Sequence, residues 1–370
     1  MKFSIYQNDL IKPIQKINGI LTKNSSFPII SNVLLNINEK NILSLTATNL
    51  EIEITIKIKE IKVFERGKIL ISGRKLLNIC RKLPKKTLIN ITLLKKKLFI
   101  ITEKCSFMLL TSSAKNFPKI LNLKFISKIL ISKKIFKKML IYTYFSMGNQ
   151  DIRYYLNGIL FKANKKKCKV VATDGYRMAI ASSSLIQELP KSMKFSKIIP
   201  RKGIIELIHL INDQDSKLII FVGKKTILIK LEEITFITKI IEGNFPNYKN
   251  ILLEKHNNSV NVNTIKLKEA LSRVSILSHE KLSSVTFYIS HKKIKLITTN
   301  QKDESAKAII NTDYQKEKLK ISININFLLD ILNIIEKKYI SLLFSNPITS
   351  LQIKEEDKFS IHYIIMPLRL

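Results

Sequence analysis

The sequence predicts an α+β protein of three similar domains in tandem, each made of antiparallel sheets and two helices. Three observations lead there: a strand–turn–strand pattern occurs three times, helically spaced segments flank every occurrence, and the strands alternate at period two with short polar turns between them.

The three copies are FPIISNVLLNINEKNILSLTATNLEIEI from Phe27, DIRYYLNGILFKANKKKCKVVATDGYRMAI from Asp151 and EKLSSVTFYISHKKIKLITTNQKDESAKAII from Glu280. Each reads as strand, polar turn, strand, a Thr-Asn or Thr-Asp pair, strand. The pairs Thr48-Asn49, Thr173-Asp174 and Thr299-Asn300 lie 125 and then 126 residues apart. Asn116-Phe117-Pro118 and Asn244-Phe245-Pro246, 128 residues apart, end copies one and two, and Pro367 closes the third. The expected domains are 1–124, 125–256 and 257–370.

A helix precedes each copy, marked by Leu10, Ile14, Ile17 and Leu21, by Phe136, Leu140 and Tyr144, and by Leu267, Leu271 and Val274. The opposite faces carry Lys12 and Lys16, Lys134 and Lys138, and Lys266 and Arg273. A second helix follows each copy: RKLLNICRKL from Arg74, RKGIIELIHLI from Arg201 and NFLLDILNIIEKK from Asn326. In the strand region SLTATNLEIEITIKIKEIKV, alternation places Glu51, Glu53 and Lys57 outward. Short polar turns suit antiparallel pairing, and two amphipathic helices per copy can cover one sheet face.

At 370 residues the chain calls for more than one core, and 45% hydrophobic residues supply them. No apolar run approaches the roughly 18 residues that span a bilayer, and MKFSIYQNDL lacks a secretory signal's apolar stretch, so a cytoplasmic protein without membrane contact is expected. Cys80, Cys105 and Cys168 have no paired spacing and are expected to be reduced. The net charge of +36 suits a polyanionic partner, although lysine is in excess even in turns such as NKKK at 164–167. Charge alone therefore locates no binding surface.

No catalytic constellation emerges. VGKKT at 222–226 lacks the first glycine of a phosphate loop and reads as a hairpin. Glu355, Glu356 and Asp357 read as a solvated turn rather than a two-metal site, and His209, His256, His279, His291 and His362 have no ligand spacing. A nucleic-acid-coating protein and a phosphoryl-transfer enzyme remain the competing classes. The apolar tail, HYIIMPLRL, suits either a last core strand or a docking surface.

Ordered, collinear segments along the whole chain carry a resemblance. They are MKF, FPII with Asn32 and LL, Thr48 with LEIEI, FSM with QDIRYYLNG, ATDGYRMA, PRKGIIEL, FPNY, ILS with EK, and IIMPLRL. These resemble the bacterial beta sliding clamps, the processivity subunits of DNA polymerase III. The resemblance implies the DNA clamp fold and a head-to-tail homodimer whose six domains close a ring around double-stranded DNA. It implies no catalysis and no cofactor or metal. Such a ring holds DNA without sequence preference and docks the DNA polymerase III catalytic subunit, the clamp loader complex, other polymerases and repair proteins through short peptides.

By the same resemblance, Gln150, Tyr154 and Tyr155 would contact DNA along with the helix cations Lys12, Lys16, Arg74, Lys134, Lys138, Arg201, Lys266 and Arg273. Lys23 would stand in for an arginine expected at Asn24. The hydrophobic cleft maps to Leu156, Thr173, Gly175, Tyr176, Arg177, Met178, Pro246, Ile251, Asn324, Phe327, Ile348, Ser350, Ile364, Met366, Pro367, Leu368, Arg369 and Leu370. Tyr176 replaces the family's histidine there, and Asn250 an arginine. The dimer seam maps to Phe107, Ile276, Leu277, Asp303 and Glu304, facing Lys104 and Arg74.

Overall fold

A computed structural model describes residues 1–370 except 22–27, 121–123, 215, 253–257, 279–282, 346, 357–358 and 369–370. Seven helices are described: α1 (Gln7–Asn18), α2 (Gly73–Lys82), α3 (Lys133–Ile141), α4 (Arg201–Leu210), α5 (Lys249–Leu252), α6 (Thr264–Val274) and α7 (Ile325–Leu332). The chain divides into two compact units, 1–134 with 202–240, and 135–201 with 241–370.

The first unit holds a five-stranded sheet and an eight-stranded sheet, both antiparallel. The five-stranded sheet runs from Lys62–Glu65 through Lys2–Tyr6, Leu88–Leu94 and Lys97–Ile101 to the edge strand Ser106–Leu110. In the eight-stranded sheet, Ile234–Lys239 pairs with Ile52–Ile58, with Ile234 opposite Ile56, and so joins the middle third of the chain to the first. Leu10, Ile14 and Ile17 of α1 and Leu76, Leu77 and Cys80 of α2 are buried, each Leu or Ile worth ~1.5–3 kcal/mol of transfer free energy.

The second unit repeats the scheme. Its eight-stranded sheet pairs Arg177–Ser184 with the C-terminal strand Ser360–Ile365, setting Met178 opposite Ile364. Its four-stranded sheet orders Ser305–Asn311, Lys293–Thr299, Ser284–Ser290 and Leu319–Asn324. Leu267, Leu271 and Val274 of α6 and Leu328, Ile331 and Leu332 of α7 enter one core with Phe287, Phe344 and Tyr363.

The repeated Thr-Asn pairs have a common physical cause. The Asn49 carboxamide accepts from the N–H groups of Glu51 and Ile52. The Asp174 carboxylate does so from Tyr176 and Arg177, and Asn300 from Lys302 and Glu304. In each copy a short polar side chain caps the same turn.

Five expectations are corrected. Glu53 is buried, because the chain at Ile120 covers it and donates its N–H to the carboxylate at 3.0 Å. α7 stops at Leu332, where the N–H groups of Ile334 and Ile335 both turn back to the Ile331 carbonyl. Tyr144 lies in a 3₁₀ turn beyond α3, and Leu21 lies beyond α1, since Gly19 closes that helix. Glu355 and Glu356 belong to the strand Leu351–Glu356, and Asp357, His256 and His279 lie outside the described residues. The 222–226 segment is a hairpin between Lys217–Gly223 and Thr226–Leu231.

Candidate functional site

In the second unit, the sheet register brings the tail beside the Asp174 turn. Beyond the C-terminal strand, the Met366 N–H donates to the Tyr176 carbonyl at 2.8 Å and the Leu368 N–H to the Ser322 carbonyl at 2.7 Å. Residues 366–368 are held at both ends yet remain partly exposed. The sequence offered a core strand or an apolar surface, and the two divide the tail: Ile361 and Tyr363 to Ile365 are buried, and Met366, Pro367 and Leu368 are not.

Around this tail, Met178 and Ile364 cluster with Leu160, Val171 and Tyr248, against which Tyr155 and Ile251 pack half-buried. Leu156 is buried beneath. Ser350 is fully buried and accepts from Gln352 Nε2, which also donates to the Ile251 carbonyl. Asn324 caps α7 by accepting from the Asn326 N–H at 2.9 Å, while Phe327 and Ile348 pack half-buried on the core. Tyr176 is 64% exposed and Pro246 exposed. The result is a shallow surface of apolar side chains with few charged groups, suited to an extended apolar segment.

One residue holds the turn and helix together. Arg177 donates through Nε to Asp174 at 2.9 Å, through Nη1 to Asp330 on α7 at 2.6 Å, and through Nη2 to the Phe145 carbonyl at 2.7 Å. Its guanidinium lies 4.4 Å from the Phe327 ring centroid and 5.4 Å from that of Phe145. The Thr173 hydroxyl donates to the Arg177 carbonyl and accepts from the Gly175 N–H; Gly175 sits at φ +94°, a conformation suited to glycine. Sequence reasoning missed Asp330 and Phe145. One clue was available: only the middle copy has a carboxylate at the turn-capping position, and an arginine follows it three residues later.

The predicted cations fall into two groups. Lys12 and Lys16 on α1, Lys134 on α3, and Lys266 and Arg273 on α6 are exposed opposite their buried apolar faces. Arg273 lies 3.9 Å from Glu269. Others are engaged: Lys138 with Glu336 at 3.4 Å, Arg74 with the Leu21 carbonyl at 3.4 Å and Arg201 with the Met147 carbonyl at 3.2 Å. Gln150, Tyr154 and Tyr155 come together on one loop, where Tyr154 is 57% exposed and lies edge-on to Tyr155 at 5.8 Å. Gln150 has φ +56°. Lys23, Arg369 and Leu370 lie outside the described residues.

Of the predicted seam residues, Phe107 lies on an edge strand and the others lie beyond α6 or just before an edge strand. Phe107 belongs to the edge strand Ser106–Leu110, beside Met108 and the 75% exposed Leu110. Ile276, 79% exposed, and Leu277 follow α6, and Asp303 and Glu304 precede the other edge strand, Ser305–Asn311. Unpaired edges of this kind are templates for pairing with another chain.

Models of the N-terminal, central and C-terminal domains of the DNA polymerase III beta subunit match residues 1–122, 130–247 and 249–369. A beta sliding clamp of Buchnera aphidicola subsp. Rhopalosiphum padi is 42% identical over 369 residues, and that of Escherichia coli strain K12 is 32% identical over 370, each match covering 100% of both chains. A Pseudomonas aeruginosa DnaN sliding clamp bound to griselimycin superimposes with a TM-score of 0.95 at 33% identity, again over 100% of both chains.

Proposed function

The chain belongs to the DNA polymerase III beta subunit family, the beta sliding clamps, and we propose that two copies close head to tail around duplex DNA. Its function is that of a non-catalytic processivity clamp for DNA polymerase III in replication. The end-to-end match to named sliding clamps carries this reading.

In the proposed ring, the edge at Phe107 on one chain meets the partner's edge around Ile276, Leu277, Asp303 and Glu304. A head-to-tail contact that closes after two copies leaves no free end. The proposed domains are 1–124, 125–256 and 257–370. Lys12, Lys16, Lys134, Lys266 and Arg273 then face the phosphates, with Arg74, Lys138 and Arg201 supporting them and Gln150, Tyr154 and Tyr155 touching the strand. Phosphate attraction carries no sequence information, so the ring holds without selecting a site.

The apolar surface around Met178, Ile364 and Met366 to Leu368 is proposed to take short peptides of the polymerase catalytic subunit, the clamp loader, other polymerases and repair proteins. Met178 and Met366 suit ligands of varied shape, since methionine repacks readily. The site of action is the bacterial cytoplasm; no helix among the described residues is long and apolar enough to cross a membrane. Sedimentation in moderate salt tests the ring: a mass of two chains is expected, whereas a persistent monomer at high concentration would favour a protein that coats DNA.

A further inference from the structure

The four-stranded sheet carries a feature that the cleft does not use. On its solvent face, Tyr288 in the strand Ser284–Ser290 pairs with Lys295 on one neighbouring strand and Lys320 on the other. Directly paired residues point to the same side of a sheet, so both lysines flank one ring. Their ammonium groups lie 5.7 and 5.5 Å from its centroid. Neither makes an ion pair with a carboxylate among the described residues.

Two pairs further along, on the same face, the hydroxyls of Thr286 and Ser322 bond to each other at 2.8 Å. There the tail crosses the sheet, anchored by the Leu368 N–H on the Ser322 carbonyl. Pro367, Leu368 and Ile348 wall one side of a cavity of about 270 Å³, with Tyr288 and Lys320 on the other. The cavity thus has an apolar wall contributed by three residues of the proposed peptide cleft, a hydroxyl floor and one cation, Lys320, at its rim, with Lys295 across the Tyr288 ring.

We propose that this cavity extends the cleft and receives an acidic side chain, Asp or Glu, from the flank of a partner peptide whose apolar anchors occupy the cleft. The inference rests on the peptide-docking reading of that cleft. A carboxylate pairs with Lys320 and can accept from whichever of the two hydroxyls is not donating to the other, while its methylene stem packs against Pro367 and Ile348. A duplex phosphate has no apolar part to fill that wall.

Fluorescence anisotropy with the full-length chain tests the proposal. Four labelled decapeptides share one Leu- and Phe-containing core and carry either two Asp or two Asn residues, at one end or the other. One Asp-flanked peptide is expected to bind about five- to tenfold more tightly than its Asn twin at low salt, as two partly exposed ion pairs allow. High salt should shrink the gain. Replacing Lys295→Gln and Lys320→Gln together should reduce it below about twofold, while the Asn peptides bind as before and report an intact fold.

If the Asn peptides bind and neither Asp peptide gains, the acidic subsite is wrong and the cleft stands. If no peptide binds, the cleft reading fails and takes the subsite with it. If the double variant instead loses affinity for a short duplex while peptide binding is unchanged, the lysines serve DNA and the proposal is overturned.

Discussion

Replacing Arg177→Met keeps an aliphatic stem against Phe327 while removing every charged interaction of the group that joins the Asp174 turn to α7. The Asp174 side chain is only 17% exposed, so loss of its partner leaves a carboxylate that water reaches poorly, although the backbone N–H groups at positions 176 and 177 still serve it. The Arg177 side-chain bonds to Asp174 and to the Phe145 carbonyl are charge-assisted and worth ~1.5–3 kcal/mol each before rehydration is subtracted. Asp330 is 42% exposed and regains water, so its bond adds no more than ~1 kcal/mol. The ring interaction at 4.4 Å adds ~0.5–2 kcal/mol. After partial rehydration the expected loss is ~3 kcal/mol, concentrated in the second unit.

Native-state hydrogen exchange can read this locally, which suits a chain of two units better than a single unfolding midpoint. The amides of α7 and of Met366 should exchange about a hundredfold faster in the variant, since ~1.4 kcal/mol is a factor of ten. Amides in the five-stranded sheet of the first unit should be unchanged. Asp330→Asn alone should cost ~1 kcal/mol, and combining it with Arg177→Met should add almost nothing. A change below threefold at α7 would refute the argument that Arg177 holds the turn to the helix.

Further predictions concern buried groups, the tail and salt. Burial pushes the Glu53 carboxyl above its ordinary 4.5, partly offset by the Ile120 N–H and nearby Lys119. The folded chain therefore holds this proton more tightly than the unfolded chain. Glu53's contribution to stability is full below 4.5 and is lost as pH rises through the raised value; Glu53→Gln should flatten that part of a stability profile measured by denaturant titration. Burial pushes the Cys80 and Cys168 thiols up to about 12, so at about pH 8 an aromatic disulfide reagent should rapidly label Cys105 alone in the native chain and all three cysteines in urea. Deleting residues 366–370 should abolish peptide binding and leave the sedimenting dimer intact; undiminished peptide affinity would make the tail purely structural. Replacing Lys12, Lys16 and Lys266 with Gln should reduce the slope of log affinity for duplex DNA against log salt by up to ~0.9 for each phosphate no longer neutralised, whatever the DNA sequence.

The repeat was legible because its markers have a local cause. Asn49, Asp174 and Asn300 each cap their own turn within four residues, so the signal survives wherever the rest of the sequence drifts. The helices were legible through apolar spacing, as at Leu267, Leu271 and Val274. The same spacing carried α7 too far, because Ile334 and Ile335 continue the pattern after the backbone has turned. Alternation misplaced Glu53 because it assumes one wet face, whereas a segment 67 residues away covers that face. The Arg177 interactions were hidden for a related reason: Asp330 lies 153 residues away and Phe145 32, and no local pattern encodes such a meeting. The proposed cleft positions were placed by likeness to sliding clamps, and the sheet register that sets Met178 opposite Ile364 brings the Asp174 turn and the tail together.

The most direct measurement is retention of the clamp after loading onto a nicked circular duplex by the proposed clamp loader, followed by a single cut in that DNA. A closed ring that holds by topology should remain on the circle through a moderate-salt wash and run off once an end is made. Equal retention on circular and cut DNA would show that the chain grips its ligand directly, and the encircling account would be wrong.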